Sequence, residues 1–281
     1  MFISFFTNSK RHTIQLYLII VLIPSIMISL LFVQLRYYQL NKDVVDYAEE
    51  TALFHKGHLD RFVGETKASI ETIALMANPD KSSYAEIERT LRRTHQRDSR
   101  LSGLYYIDMN GEMLFGSHEL PKRINVYDRD YFKRVLSTKE TAISDAYFGR
   151  LTGRYIVTIA TPILDRDQQI RGVLLASLRL NYIETIMAEL TPDVKIDVYD
   201  RNQLLVFQTS EKVHSNDVFV RTQLDRVPWT VTVSVPSIPS KDIFYLFLHA
   251  FLLSFVVTNI IFLLAKLALI KRQAKKRTYS N

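Results

Sequence analysis

Cysteine is absent from this chain, which excludes a disulfide framework and thiolate metal ligation and leaves the redox compartment unread. Glycine is scarce, at 8 in 281 residues, and no glycine-rich phosphate loop occurs among them. The sequence also lacks a Ser-His-Asp order, a recognisable carboxylate pair and metal-ligand spacing, so no reaction can be named and neither an enzyme nor a cofactor is expected. Acidic residues are missing from both ends. Residues 1–34 and 243–281 hold Lys10, Arg11, Lys266, Lys271, Arg272, Lys275, Lys276 and Arg277 but no Asp or Glu; against a net charge of +7, these eight cations leave residues 35–242 at −1. A near-neutral middle lacks the basic footprint of a phosphate-backbone binder, so nucleic acid is not an expected partner.

What the chain does have is 47% hydrophobic residues, enough for a packed core, and two long apolar runs. Residues 14–33, IQLYLIIVLIPSIMISLLFV, are uncharged over the roughly 20 residues needed to cross a ~30 Å hydrocarbon layer. An uncleaved membrane helix fits better than a signal peptide, because no small-x-small cleavage site follows. Pro24 predicts a kink, with Ser25 or Ser29 relieving the freed carbonyl. Residues 243–270 form a second span, followed at once by KRQAKKR. By the positive-inside rule both termini, 1–13 and 271–281, lie in the cytoplasm and 35–242 lie outside. Lys266 can snorkel to the interface, whereas Asn259 sits deeper, either bonded across a helix interface or simply tolerated. The basic tail suits anionic lipid or an acidic partner.

Between the spans, Val45, Ala48, Ala52, Leu59, Phe62, Ile70, Ile73 and Ala77 fall on one helical stripe, predicting a long amphipathic helix over 40–77. At 1.5 Å per residue it would stand about 60 Å from the bilayer. His55 and His58 on it read as solvated surface rather than metal ligands. Ser83 with Glu86 predicts a capping box opening a second helix. LYYIDMNGEMLFGS then reads as a hairpin turning at Asn110-Gly111. A short helix capped by Asp128 follows, then strands near 141–144, 155–162 and 170–180, the last two joined by a turn at DRDQQ, and a helix over 182–190 capped by Asn181. Five strands in one antiparallel sheet with helices packed on it is the economical α+β arrangement. VKIDVYD, a turn at Arg201-Asn202, QLLVFQ, a polar loop and WTVTVSV predict a smaller second sheet, with Trp229 in its core or facing the membrane.

Taken in order, the two-pass anchor, the long helix, IDMNG, DRDYF, YFGRLTGRYIVTIATPI and IRGVLLASLRL resemble the double Cache family of bacterial extracytoplasmic sensors over residues 37–240. The resemblance is nearest to the sensors of sporulation-type histidine kinases from bacilli. It implies a long helix bearing two PAS-like modules, here a membrane-distal one over about 99–180 and a reduced proximal one over about 191–236, with the ligand in the distal one. It also implies that Arg129, Tyr131 and Phe132 hold a ligand carboxylate and that Tyr147 lines the pocket. The acids that hold an amino acid's ammonium in such relatives align here with Gly149 and Ser177, so a small organic acid without an amine is the expected ligand, with an amino acid second. A helix N-terminus beside a bidentate guanidinium suits a carboxylate. The alternative is that Arg129 pairs with Asp128 or Asp130 and that the aromatics are ordinary core.

The expected function is a membrane-anchored sensor, acting as a homodimer, that relays carboxylate binding through its helices. Only 11 residues follow Ile270, too few for a kinase or cyclase, so either a separate signalling partner reads the helices or the chain is the sensor portion of a histidine kinase or diguanylate cyclase. An external enzyme and a structural adaptor with a vestigial pocket are the rival classes.

Overall fold

The computed structural model describes residues 17–153, 155–192, 194–209 and 217–278, with backbone alone at 269 and 273–278. Lys10 and Arg11, the first residues of the first apolar run, and the side chains of Lys275, Lys276 and Arg277 lie outside the described residues.

Two units partition the chain. In the first, made of residues up to Val45 and from Ser237 on, a π-helical turn (Leu18–Leu22) leads into the start of α1 (Ile23–Met76), and α5 (Ser240–Thr278) returns beside it. Both helices are long and apolar enough to cross a membrane, with mean hydropathies of 2.7 and 2.3 over their most apolar stretches. The turn before Pro24 adapts to the missing N–H by widening, so that Ile23 N–H reaches Leu18 O, five residues back. The expected rescue by hydroxyls is corrected: Ser25 Oγ donates to Val21 O and Ser29 Oγ to Ser25 O, not to the carbonyl that Pro24 leaves. These hydroxyls also meet α5, where Ser25 Oγ lies 2.6 Å from Thr258 Oγ1 and Ser29 Oγ 2.9 Å from Ser254 Oγ. Asn259 joins the seam by accepting from Tyr17 Oη at 3.0 Å.

The second unit, Asp46–Pro236, is built on the rest of α1. Ala48, Ala52, His55, Leu59, Val63, Thr66, Ile70, Ile73 and Ala77 recur at steps of three or four, and all are buried. His55 is therefore not the solvated surface residue expected. It is fully buried, with Nδ1 2.9 Å from Met187 Sδ and Nε2 2.9 Å from Thr191 Oγ1. Asn78 and Pro79 end the helix, and the Asn78 amide donates to Leu164 O. The capping box at Ser83 and Glu86 then opens α2 (Tyr84–Arg97) with both reciprocal bonds formed.

The larger sheet is antiparallel in the order β2-β1-β7-β6-β3, from β1 (Leu101–Ile107), β2 (Met113–Gly116), β3 (Ala142–Ile143), β6 (Thr158–Leu164) and β7 (Ile170–Leu178). The strand expected over 155–162 is split: β5 (Tyr155–Ile156) pairs with β4 (Tyr147–Phe148) in a separate hairpin, and only β6 joins the sheet. The smaller sheet runs β10-β11-β8-β9, from β8 (Lys195–Tyr199), β9 (Leu205–Gln208), β10 (Val218–Gln223) and β11 (Thr230–Val235). Strand β10, half exposed at the sheet edge, occupies what reads in the sequence as a polar loop. Trp229 is core, at 1% exposed.

One device turns three of the hairpins. Asp108, Asp165 and Asp200 each accept the N–H groups two and four residues ahead, which closes β1–β2, β6–β7 and β8–β9. Two helix caps differ from expectation. Helix α3 (Asp130–Thr138) has Arg129, not Asp128, at its N-cap, because Asp128 is drawn into an ion pair with Arg150. Helix α4 starts at Leu180 and runs to Leu190, with Arg179 at its N-cap, so Asn181 lies inside it.

Candidate ligand site

A small hollow opens beside the N-terminus of α3, between the face of the larger sheet and the β4–β5 hairpin. Arg129, Tyr131, Tyr147, Gly149 and Ser177 all line it. Phe132 does not: it is fully buried behind the pocket, in the core formed with Val135, Leu175 and Tyr131. Arg129, at the extended N-cap, and Tyr131, in the first turn, both reach the hollow, whereas Phe132, about 100° further round the helix, turns into the core. Ser177 reaches the floor from β7, between Gly103 of β1 and Thr158 of β6.

Arg129 is the centre of the arrangement. Its Nη2 donates to Phe148 O at 3.2 Å, and its guanidinium carbon stands 4.8 Å from the centroid of the Tyr147 ring. Its Nε is buried and has no hydrogen-bond partner. Among the described residues no carboxylate pairs with it, because Arg150 holds Asp128 at 2.9 and 2.6 Å and donates to Asn125 O as well. Arg150 keeps the Asp128 carboxyl below its ordinary range, and Asp128 raises the guanidinium in return. The pairing of Arg129 with Asp128 or Asp130 that the sequence left open is thus not what forms.

The tyrosines complete a wall of donors. Burial, then Tyr147, pushes the Tyr131 phenol far above its usual range, and burial raises Tyr147 too, so both stay protonated at any physiological pH. Tyr147 Oη makes only long contacts, 3.4 Å to Tyr131 Oη and 3.5 Å to Thr158 Oγ1, which an incoming oxygen can replace without loss. Among the described residues the lining carries two arginines and several hydroxyls but neither Asp nor Glu. At Gly149 a Cβ would come within 2.5 Å of Thr152 Oγ1 and 2.7 Å of Ile156 Cδ1, so the position has no room for an acid in this conformation. The free volume is about 30 Å³, enough for about one water. A larger guest requires part of this lining to give way. Sequence reasoning missed Arg150, whose role depends on a hairpin that brings it across to Asp128.

Comparison with known proteins places this architecture. The sequence pattern of the Cache domain family matches residues 37–239. Sporulation kinase D of Bacillus subtilis is 28% identical over 274 residues, which is 95% of this chain and 53% of the kinase; the chain thus spans about half the length of that curated relative. Among solved structures, the extracellular domain of the histidine kinase rpHK1S-Z16 superposes with a TM-score of 0.58 at 16% identity, covering 71% of this chain and 95% of that one. The ligand-binding domain of the Pseudomonas fluorescens chemoreceptor CtaA, in complex with L-isoleucine, gives 0.57 at 15% identity over 75% and 98% of the two chains. That of the Pseudomonas aeruginosa amino acid chemoreceptor PctC, in complex with GABA, gives 0.53 at 15% over 68% and 99%. With a fold shared by these sensor domains and a family pattern spanning most of its length, this chain belongs to the Cache domain family.

Proposed function

We propose that this chain is a membrane-anchored extracytoplasmic sensor for a small carboxylate lacking an amine, and that it relays occupancy through its two apolar helices. The observation that carries the reading is the partnerless, buried Nε of Arg129 in a lining without Asp or Glu among the described residues. A carboxylate would take that N–H together with the Tyr131 and Tyr147 hydroxyls, whereas a ligand ammonium would meet no counter-charge. Amino acids are the second reading, favoured by the ligands of CtaA and PctC. The chain's similarity to half of a sporulation kinase supports an output through a kinase, either joined to this sensor or as a separate partner, and a homodimer is the assembly proposed.

The energetics are sufficient. At a ceiling of about −1.5 kcal/mol per heavy atom, a six-atom acid gains at most about −9 kcal/mol, around micromolar affinity or slightly better. Moving a two-state equilibrium from 1:99 to 99:1 takes roughly 5.5 kcal/mol of differential binding. The test is a thermal-shift screen of the full chain in nanodiscs against paired ligands, each amino acid beside its des-amino acid, with wild type and Arg129→Ala. At least one des-amino acid is expected to stabilise the wild type more than its amino partner, and to lose that effect in Arg129→Ala. Equal stabilisation of both proteins removes Arg129 from the site.

A further inference from the structure

A second cleft in the Asp46–Pro236 unit has a charge pattern that the carboxylate pocket does not explain. It is an open cavity of about 420 Å³ where four elements converge on the outer side of α3. Lys67 comes from α1, Arg134 from α3, Arg201 from the β8–β9 turn and Arg226 from the β10–β11 turn, against a single carboxylate, Glu140. Two of these cations are engaged. Arg201 Nε lies 2.9 Å from Asp145 Oδ2, and Lys67 stands 3.8 Å from Glu71, whose carboxylate also accepts the Thr141 hydroxyl.

The other two are not neutralised. Arg134 donates Nη2 to Ile143 O, but its Nε is buried without a partner and among the described residues no carboxylate pairs with it. Arg226, an exposed residue, is anchored by its backbone, whose N–H donates to Asp60 at 3.0 Å, and its guanidinium lies beside α1 at Gly64. A Cβ at Gly64 would lie 2.9 Å from Arg226 Cζ, so the glycine is what admits the arginine. The guanidinium itself makes no hydrogen bond or ion pair among the described residues. Like charges gathered in one cleft repel, and a buried N–H left unpaired is costly; both penalties vanish when an anion with several acceptor oxygens sits among them.

We propose that this cleft binds a small multivalent oxyanion of the phosphate or sulfate class, distinct from the ligand of the first pocket. The oxyanion bridges Arg134 and Arg226 and so ties α3 to the smaller sheet's β10–β11 turn and to α1. Because Arg134 lies on the same short helix whose N-cap is Arg129, the oxyanion also braces the helix that carries the first pocket's guanidinium.

The experiment titrates inorganic phosphate, and separately sulfate, into the full chain in zwitterionic nanodiscs at constant ionic strength set with chloride. It follows the melting temperature and the emission of the single tryptophan, Trp229, which is buried three residues from Arg226. A saturable rise in melting temperature is expected for the wild type. Arg226→Gln removes a guanidinium that holds nothing else, so it should fold normally and require about tenfold or more phosphate; Arg134→Gln should behave likewise. Arg129→Ala should titrate like wild type. A response that chloride reproduces, or wild-type titration by both Arg226→Gln and Arg134→Gln, overturns the proposal. Loss of the response in Arg129→Ala also overturns it, by moving the anion to the first pocket.

Discussion

At the scale of single residues, the site turns on which polar atoms are satisfied. Arg129 could be picked out in the sequence from its place in DRDYF, but not its freedom from carboxylates, which depends on Arg150 arriving from 22 positions away to take Asp128. Ser177 is the cheapest place to restore an acid, since it already faces the hollow and Gly149 has no space. In Ser177→Asp the preference between an amino acid and its des-amino partner is expected to shift toward the amino acid by about tenfold, read by calorimetric titration. No shift would show that the floor of the pocket does not meet the ligand's α-substituent. His55 gives a pH signature elsewhere. Burial, then the neighbouring His58, lowers its pKa from 6.5 to about 4. The unfolded chain therefore binds a proton in that window which the folded chain refuses, so this stabilisation is whole above 6.5 and is lost as the pH falls toward 4. Melts of wild type and His55→Gln at about pH 7 and pH 5 isolate the effect: the wild type should lose more stability on acidification, and equal losses would refute it.

Among elements, periodicity carried most of the information. The stripe on α1 and the capping box of α2 were legible because each depends on residues within a few positions of one another. The caps of α3 and α4 differ from the local pattern because a long-range partner claims Asp128 and because α4 begins one residue before Asn181. Strand β10 is hard to read in the sequence because its short apolar start, Val218-Phe219-Val220, directly follows the polar stretch TSEKVHSND and no tight-turn signal separates the two. The hydroxyl seam between α1 and α5 makes its own prediction. A chain without cysteine allows Ser29→Cys with Ser254→Cys to be read cleanly, and with the serine oxygens 2.9 Å apart the double variant should form an intramolecular disulfide under mild oxidation. Either single variant should not, and a failure of the pair to cross-link would separate the two helices.

For the whole molecule, the proposed relay joins movement of the pocket lining to the membrane helices through α1, which runs unbroken from Ile23 to Met76. If occupancy is transmitted, a saturating stabilising acid should change the cross-linking rate of the Ser29→Cys, Ser254→Cys pair, and the change should vanish when Arg129→Ala is added. An unchanged rate with proven binding would sink the relay while leaving the ligand site intact. The second cleft belongs to this scale as well, since its oxyanion would brace α3 against α1 and the smaller sheet.

The sequence by itself determined the two apolar spans, the amphipathic α1, the β1–β2, β6–β7 and β8–β9 hairpins and the family, because each is written in local spacing or in an ordered series of short motifs. Only the tertiary structure decided that Arg129 is left without a carboxylate, that Phe132 belongs to the core, that His55 is buried and that four cations share one cleft. Those outcomes depend on which distant side chain reaches a given atom first, and no local pattern encodes that competition.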